Sequence, residues 1–200
     1  MLRWLALGDS YTIGEGVAAP SRWPNRLLRL LRRRHLHLAR PKIIARTGFS
    51  CAELLNALNV QQPRGPYQLV SLLIGVNDQY RGHAVECYRA GLSALLDRAE
   101  ELASGQGATM MLSIPDWGTT PFALAEGRDR VQIAAELNAY NQQAAELAAS
   151  RAVPFVDITA ISREPLAALT ADSLHPGPAQ YKRWAEAAAD TAEHILRFRK

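Results

Sequence analysis

Residues 69–75 read Leu-Val-Ser-Leu-Leu-Ile-Gly. One serine interrupts an apolar run of strand length, and a glycine closes it. A strand with one wet face alternates polar and apolar residues; an unbroken run is expected where both faces of a sheet are covered, as in a parallel sheet between two layers of helices. The flanking sequence repeats the theme. Upstream, Arg3–Leu7 and Ile43–Ala45 read as strands; downstream, Thr109–Ile114 and Val153–Val156 do the same. Amphipathic stretches separate them: about Pro24–His35, a segment through Leu58, Ala84–Ala103, Asp129–Ala149, and Pro178 to about Leu196. Ser50-Cys51-Ala52-Glu53 has the form of a capping box, so the second of these helices starts there. Pro115–Gly127, with two prolines and two glycines, reads as a loop. Strand and helix in alternation predict an α/β protein: a parallel sheet of about five strands with helices on both faces, read as one domain over 1–200.

Composition agrees with a globular chain. The 200 residues are 48% hydrophobic and 21% charged, which excludes global disorder and collagen-like repeats. No apolar run approaches the ~20 residues that span a bilayer. Asp9 arrives too soon after Met1 to leave room for a signal-peptide core, so the sequence as given reads as cytoplasmic. Cys51 and Cys87 have no metal-ligand spacing and read as reduced, mostly buried thiols, with a single disulfide as the alternative. No cofactor or metal is expected: the five histidines are scattered and no H-E-x-x-H occurs.

The net charge of +4 is unevenly spread. Between Gly16 and Ala52 stand Arg22, Arg26, Arg29, Arg32, Arg33, Arg34, Arg40, Lys42 and Arg46 with no acid, leaving the remainder net acidic. Arg22, Arg26, Arg29 and Arg33 follow 4-3-4 spacing and line one helix face. That stripe reads either as a solvated face or as a surface attracting an anionic partner. No nucleic-acid-binding pattern accompanies it, so no nucleic-acid partner is expected.

In open parallel sheets ligands bind beyond the carboxyl ends of the strands. There the sequence places Asp9-Ser10, Thr47-Gly48, Asn77-Asp78, Asp116 and Asp157. Ser10 lies at a strand-to-helix turn, but a serine hydroxyl needs a base to become a nucleophile. Asp172-Ser173-Leu174-His175 offers one: Asp and His three residues apart can meet across a turn, the carboxylate fixing the imidazole tautomer. Asp116 and Asp157 are the other acids that could orient His175. The Ser10 amide, the Gly48 amide and the Asn77 side chain could together bind an oxyanion. Trp117 and Phe122 are candidates for the wall of a substrate pocket, or for an ordinary packed loop.

Gly8-Asp9-Ser10, Gly48, Gly75-Val76-Asn77-Asp78 and Asp172-x-x-His175-Pro176, in that order, resemble the four signature blocks of the SGNH (GDSL) hydrolase superfamily, bacterial esterase and lipase-like members especially. The resemblance implies a flavodoxin-like three-layer α/β/α sandwich with strand order 2-1-3-4-5. It implies Ser10 as nucleophile, His175 as base, Asp172 as its orienter, and Ser10, Gly48 and Asn77 as the oxyanion hole. Tyr11 stands where the family name has Leu, with no chemical role implied. The expected function is hydrolysis of a carboxylic ester (acyl or acetyl) of a small-molecule substrate through an acyl-enzyme, without stable membrane insertion. The rival is a nucleotide or flavin binder, because Gly14-Glu15-Gly16-Val17-Ala18-Ala19 fits G-x-G-x-x-A; against it, the motif does not immediately follow its strand, and Asp9 and Glu15 would crowd a pyrophosphate. A non-enzymatic anion-binding module using the arginine stripe is a further alternative.

Overall fold

The computed structural model describes residues 1–103, 108–164 and 169–198. β1 (Trp4–Gly8) leads into a one-turn helix, α1 (Ser10–Ile13), and a 3-10 turn at Ala19–Ser21 precedes α2 (Trp23–Arg33). β2 (Lys42–Ala45) and α3 (Cys51–Gln61) follow, then β3 (Leu69–Leu73), α4 (Val76–Tyr80) and α5 (Val85–Leu102). After β4 (Thr109–Leu112) come a 3-10 turn at Trp117–Thr119, α6 (Pro121–Ala125), α7 (Arg130–Ser150), β5 (Phe155–Val156), α8 (Thr159–Ser162) and α9 (Pro178–Arg197).

The strands form one sheet in the order β2-β1-β3-β4-β5, and every neighbouring pair is parallel. Every residue of β1, β3 and β4 is buried, whereas β2 at the edge is only partly so. α9 packs against β3, β4 and β5 and against α2; α3, α5 and α7 lie side by side over the strands from β2 to β5. This is the three-layer α/β/α arrangement. Ser71, the one polar residue within β3, is fully buried and accepts a hydrogen bond from the Trp4 indole N–H at 3.0 Å. Its hydroxyl thereby avoids the cost of an unpaired buried polar group. The same Trp4 ring meets Trp23 of α2 at 5.9 Å between centroids, joining strand to helix layer.

The apolar runs overstate the strands. β3 ends at Leu73, because Gly75 at φ +124° swings the chain out of the sheet. A Cβ there would lie 2.5 Å from the Tyr88 ring, so glycine is required twice over. Asn77 consequently sits on α4 and does not end a strand. Pro115–Gly127 is not a plain loop: the Asp116 carboxylate accepts from Gly118 N–H, and Thr120 caps α6 with Pro121 in its first turn. Gly14 terminates α1, so the first glycine of the G-x-G-x-x-A match closes a helix where a dinucleotide fingerprint would open one.

Of the arginine stripe, Arg22 lies ahead of α2 and donates to the Val17 carbonyl, Arg26 donates to the Ser21 carbonyl, and Arg29 and Arg33 are exposed. Arg34 reaches Asp190 and Glu193 of α9, each at 2.6 Å, so the basic segment meets acids from the end of the chain. Both cysteines are free thiols; Cys51 is buried as expected, but Cys87 is exposed. Among the described residues no helix is long and apolar enough to cross a membrane.

The capping box is present at α3: the Ser50 N–H donates to Glu53 Oε2 at 2.8 Å, and Ser50 Oγ accepts from the Glu53 N–H. Ser50→Ala should therefore cost about 1 kcal/mol in urea unfolding. An unchanged midpoint would show that the cap carries no weight there.

Candidate active site

Gly8 ends β1, and Asp9 caps α1 by accepting from the Tyr11 N–H at 2.9 Å. Ser10 is therefore the first helical residue. A first-turn amide has no intrahelical partner, and no hydrogen bond among the described residues engages the Ser10 N–H or Oγ. Ser10 is 5% exposed, just beneath the surface of a cleft.

The loop after β2 brings Gly48 to the same cleft. A Cβ on Gly48 would meet nothing nearer than an Arg81 nitrogen at 3.8 Å, so space does not require glycine; its φ of +87° does. Three residues of or beside α4 grip this loop. Asn77 Nδ2 donates to the Phe49 carbonyl at 2.9 Å, Asp78 Oδ2 accepts from Cys51 N–H at 3.0 Å, and Arg81 donates to the Gly48 carbonyl at 2.6 Å while pairing with Glu53. On the other side Thr47 Oγ1 bonds Glu15. The Gly48 N–H has no partner among the described residues, and one of the two Asn77 amide hydrogens remains for a ligand.

The loop before α9 supplies the base and its acid. Asp172 Oδ2 lies 2.6 Å from His175 Nδ1, while Oδ1 accepts from the backbone N–H groups of Leu174 and His175 and from Thr170 Oγ1. Partial burial would raise the Asp172 carboxyl. The His175 amide, the Thr170 hydroxyl, the His175 ring and the Leu174 amide outweigh it and hold the group well below the usual carboxylate range. Asp172 is thus a carboxylate throughout mild acid. The other two acids are engaged elsewhere: Asp116 pairs with Arg163 at 2.8 Å, and Asp157 accepts from Ser113 Oγ and Thr159 N–H. Tyr11 packs edge-on to the His175 ring at 5.7 Å and to Trp184 at 5.8 Å. The fourth position of the first motif, given no part in the chemistry by the sequence, therefore buttresses the imidazole.

These elements meet around one cavity of about 200 Å³, lined by Ser10, Tyr11, Thr47, Gly48, Val76, Asn77, Tyr80, Trp117, Phe122, Leu174 and His175. Asp172 stands behind His175, out of the cavity. Trp117 and Phe122, picked from the sequence, are both at the wall. Tyr80, Leu174 and the gripping residue Arg81 escaped the sequence reading. The only signal was their nearness to Asn77 and His175, and nothing in a one-dimensional pattern pairs Arg81 with Gly48. Among the described residues no group of three or more His, Cys, Asp or Glu side chains is arranged to hold a metal.

Asp9, beside Ser10, is fully buried, and its Oδ2 has no partner among the described residues. Burial pushes its carboxyl up to about 8, opposed by the Tyr11 amide and reinforced by the charge of Asp78. Such a group binds more protons folded than unfolded between its unfolded value of 3.8 and about 8, so it withdraws stability as pH rises through that window. Asp9→Asn stays neutral throughout. Its stability relative to the parent should therefore climb between pH 5 and pH 8 in urea titrations. A pH-independent difference would mean that Asp9 is ionised in the folded state.

The model of the GDSL-like lipase/acylhydrolase family matches residues 6–183. The chain belongs to that family and is a hydrolase acting on ester bonds. Among solved structures, TesA superposes with a TM-score of 0.75 at 19% identity, covering 97% of this chain and 99% of its own. A psychrotrophic esterase, EstA from Pseudoalteromonas sp., gives 0.73 at 16% identity, with 98% and 99% covered. The acetylxylan esterase Axe2 from Geobacillus stearothermophilus gives 0.72 at 23% identity, with 99% and 97% covered. At these identities the likeness is one of fold. No curated protein matches the sequence significantly.

Proposed function

We propose that this protein hydrolyses a small carboxylic ester through an acyl-enzyme formed on Ser10. The observation that carries the reading is the 2.6 Å Asp172–His175 contact on a histidine that shares one cavity with Ser10, Gly48 and Asn77. Asp172 fixes the proton on His175 Nδ1, leaving Nε2 as the base. His175 takes the Ser10 proton as Oγ attacks the ester carbonyl. The Ser10 and Gly48 amides and Asn77 Nδ2 receive the negative charge of the tetrahedral intermediate. His175 returns the proton to the departing alcohol; a water then attacks the acyl-enzyme by the same route in reverse and releases the acid.

Ser10→Ala should abolish both turnover of an aryl ester, by on the order of 10⁶, and labelling by a serine-directed phosphonate. Undiminished labelling of that variant, located by mass spectrometry on another serine, would remove Ser10 from the scheme.

Asp172→Asn keeps the shape of the pair but favours the wrong imidazole tautomer, and should lower kcat by roughly 10⁴. Asp157→Asn, distant from His175 in the hydrogen-bond network, should retain most turnover. If Asp172→Asn kept more than about a tenth of the parent kcat, the backbone alone would be orienting His175.

A further inference from the structure

The catalytic cavity is small, and one of its walls is thin. Its lining is mostly apolar: Val76, Tyr80, Trp117, Phe122 and Leu174. At about 200 Å³ it falls below the ~300–1,000 Å³ typical of pockets that enclose a drug-sized ligand. Such a space suits the ester centre with a short tail and not a long chain.

Beyond the wall lies a second cavity of about 440 Å³. The two share Tyr11, Trp117 and Leu174. Trp117 is the largest of the three to face both, and it is held in place. Its indole N–H donates to Gln79 Oε1 at 2.8 Å, and Gln79 in turn donates to Glu136 at 2.6 Å. Tyr80 and Phe122 meet its ring edge-on at 5.3 and 6.2 Å, and the Arg128 guanidinium lies 5.4 Å from both the Tyr80 and Trp117 rings. A side chain braced by a hydrogen bond and by aromatic contacts does not swing aside to admit a longer chain.

Resting on the serine-esterase reading, we infer that Trp117 sets the acyl length this enzyme accepts, restricting it to short acyl groups, with the larger cavity behind the indole closed to substrate. The alcohol portion leaves toward solvent past half-exposed Tyr80 and is not measured by the same wall. Removing the indole joins the two cavities and gives a longer acyl chain room beside Leu174, Pro121 and Pro176, in a space that Asp116, Arg130, Arg163 and Glu164 also line.

The test is kcat/KM for p-nitrophenyl esters from acetate to decanoate, alongside acetate esters of alcohols of increasing length. The parent enzyme should lose at least tenfold between butanoate and octanoate, of the order that misplaced methylenes cost in a fitted pocket, and should respond weakly to alcohol length. Trp117→Ala should shift the optimum to octanoate or beyond. Since loss of a buried tryptophan can unfold a domain, Leu174→Ala, which opens the same wall from its half-buried side with the backbone bonds to Asp172 kept, should shift the optimum in the same direction. A parent enzyme that labels at Ser10 but prefers octanoate, responds to alcohol length in place of acyl length, or keeps its profile in folded Trp117→Ala and Leu174→Ala would overturn this inference alone. A parent enzyme that neither hydrolyses any ester nor labels at Ser10 would overturn the serine-esterase reading, and this inference with it.

Discussion

The parallel pairing of β1 between β2 and β3 is the constraint from which the rest follows. Strands that run the same way deliver their carboxyl ends to one edge, and whatever follows them must meet there. Ser10 comes after β1, Gly48 after β2 and Asn77 after β3. Such pairing leaves both faces of the inner strands to be covered. The sequence meets that demand with unbroken apolar runs and with a tryptophan, Trp4, whose one polar atom finds the hydroxyl of Ser71. The scaffold is apolar and general; the candidate site gathers residues that follow β1, β2 and β3 and the Asp172–His175 pair from the loop before α9.

What turns that edge into a site is the order in which groups are held. The Gly48 peptide is gripped from both sides: Thr47 is tied to Glu15, and the Gly48 carbonyl to Arg81. Asn77 is held by the Phe49 carbonyl and spends only one of its two N–H groups there. Donors fixed before substrate arrives need no reorganisation when charge develops, and this is where such groups gain most of their worth. His175 is restrained as well, by Asp172 on one side and by the edge of Tyr11 on another.

The sheet was legible because hydrophobic periodicity reports burial directly, and burial of the inner strands is complete. Strand ends were less legible. Ile74 belongs by composition to the run before it, yet the positive φ at Gly75 breaks the strand first, a backbone event that no side-chain pattern announces. Ser10, Gly48 and Asn77 were legible as types in the segments that follow strands. The Asp172–His175 pairing was read from i, i+3 spacing, and the structure places Asp116 and Asp157 in other bonds. Contacts between distant segments were not legible. Arg81 with Gly48, and Tyr11 with the imidazole, depend on how loops from different strands converge.

One bond between loops has a mechanical meaning. The Phe122 N–H donates to the Ser173 carbonyl at 3.2 Å, linking the segment that shapes the cavity to the segment carrying Asp172 and His175. Ser173 itself sits at φ +60°, a conformation costly for a residue with a side chain, so that turn has little slack. Under the proposed mechanism, an acyl group large enough to push the Phe122 segment outward pulls on the hinge of the base. A misfitting ester is then penalised twice, in how well it is held and in how well the proton is passed. Under that mechanism, selectivity and turnover share one lever arm.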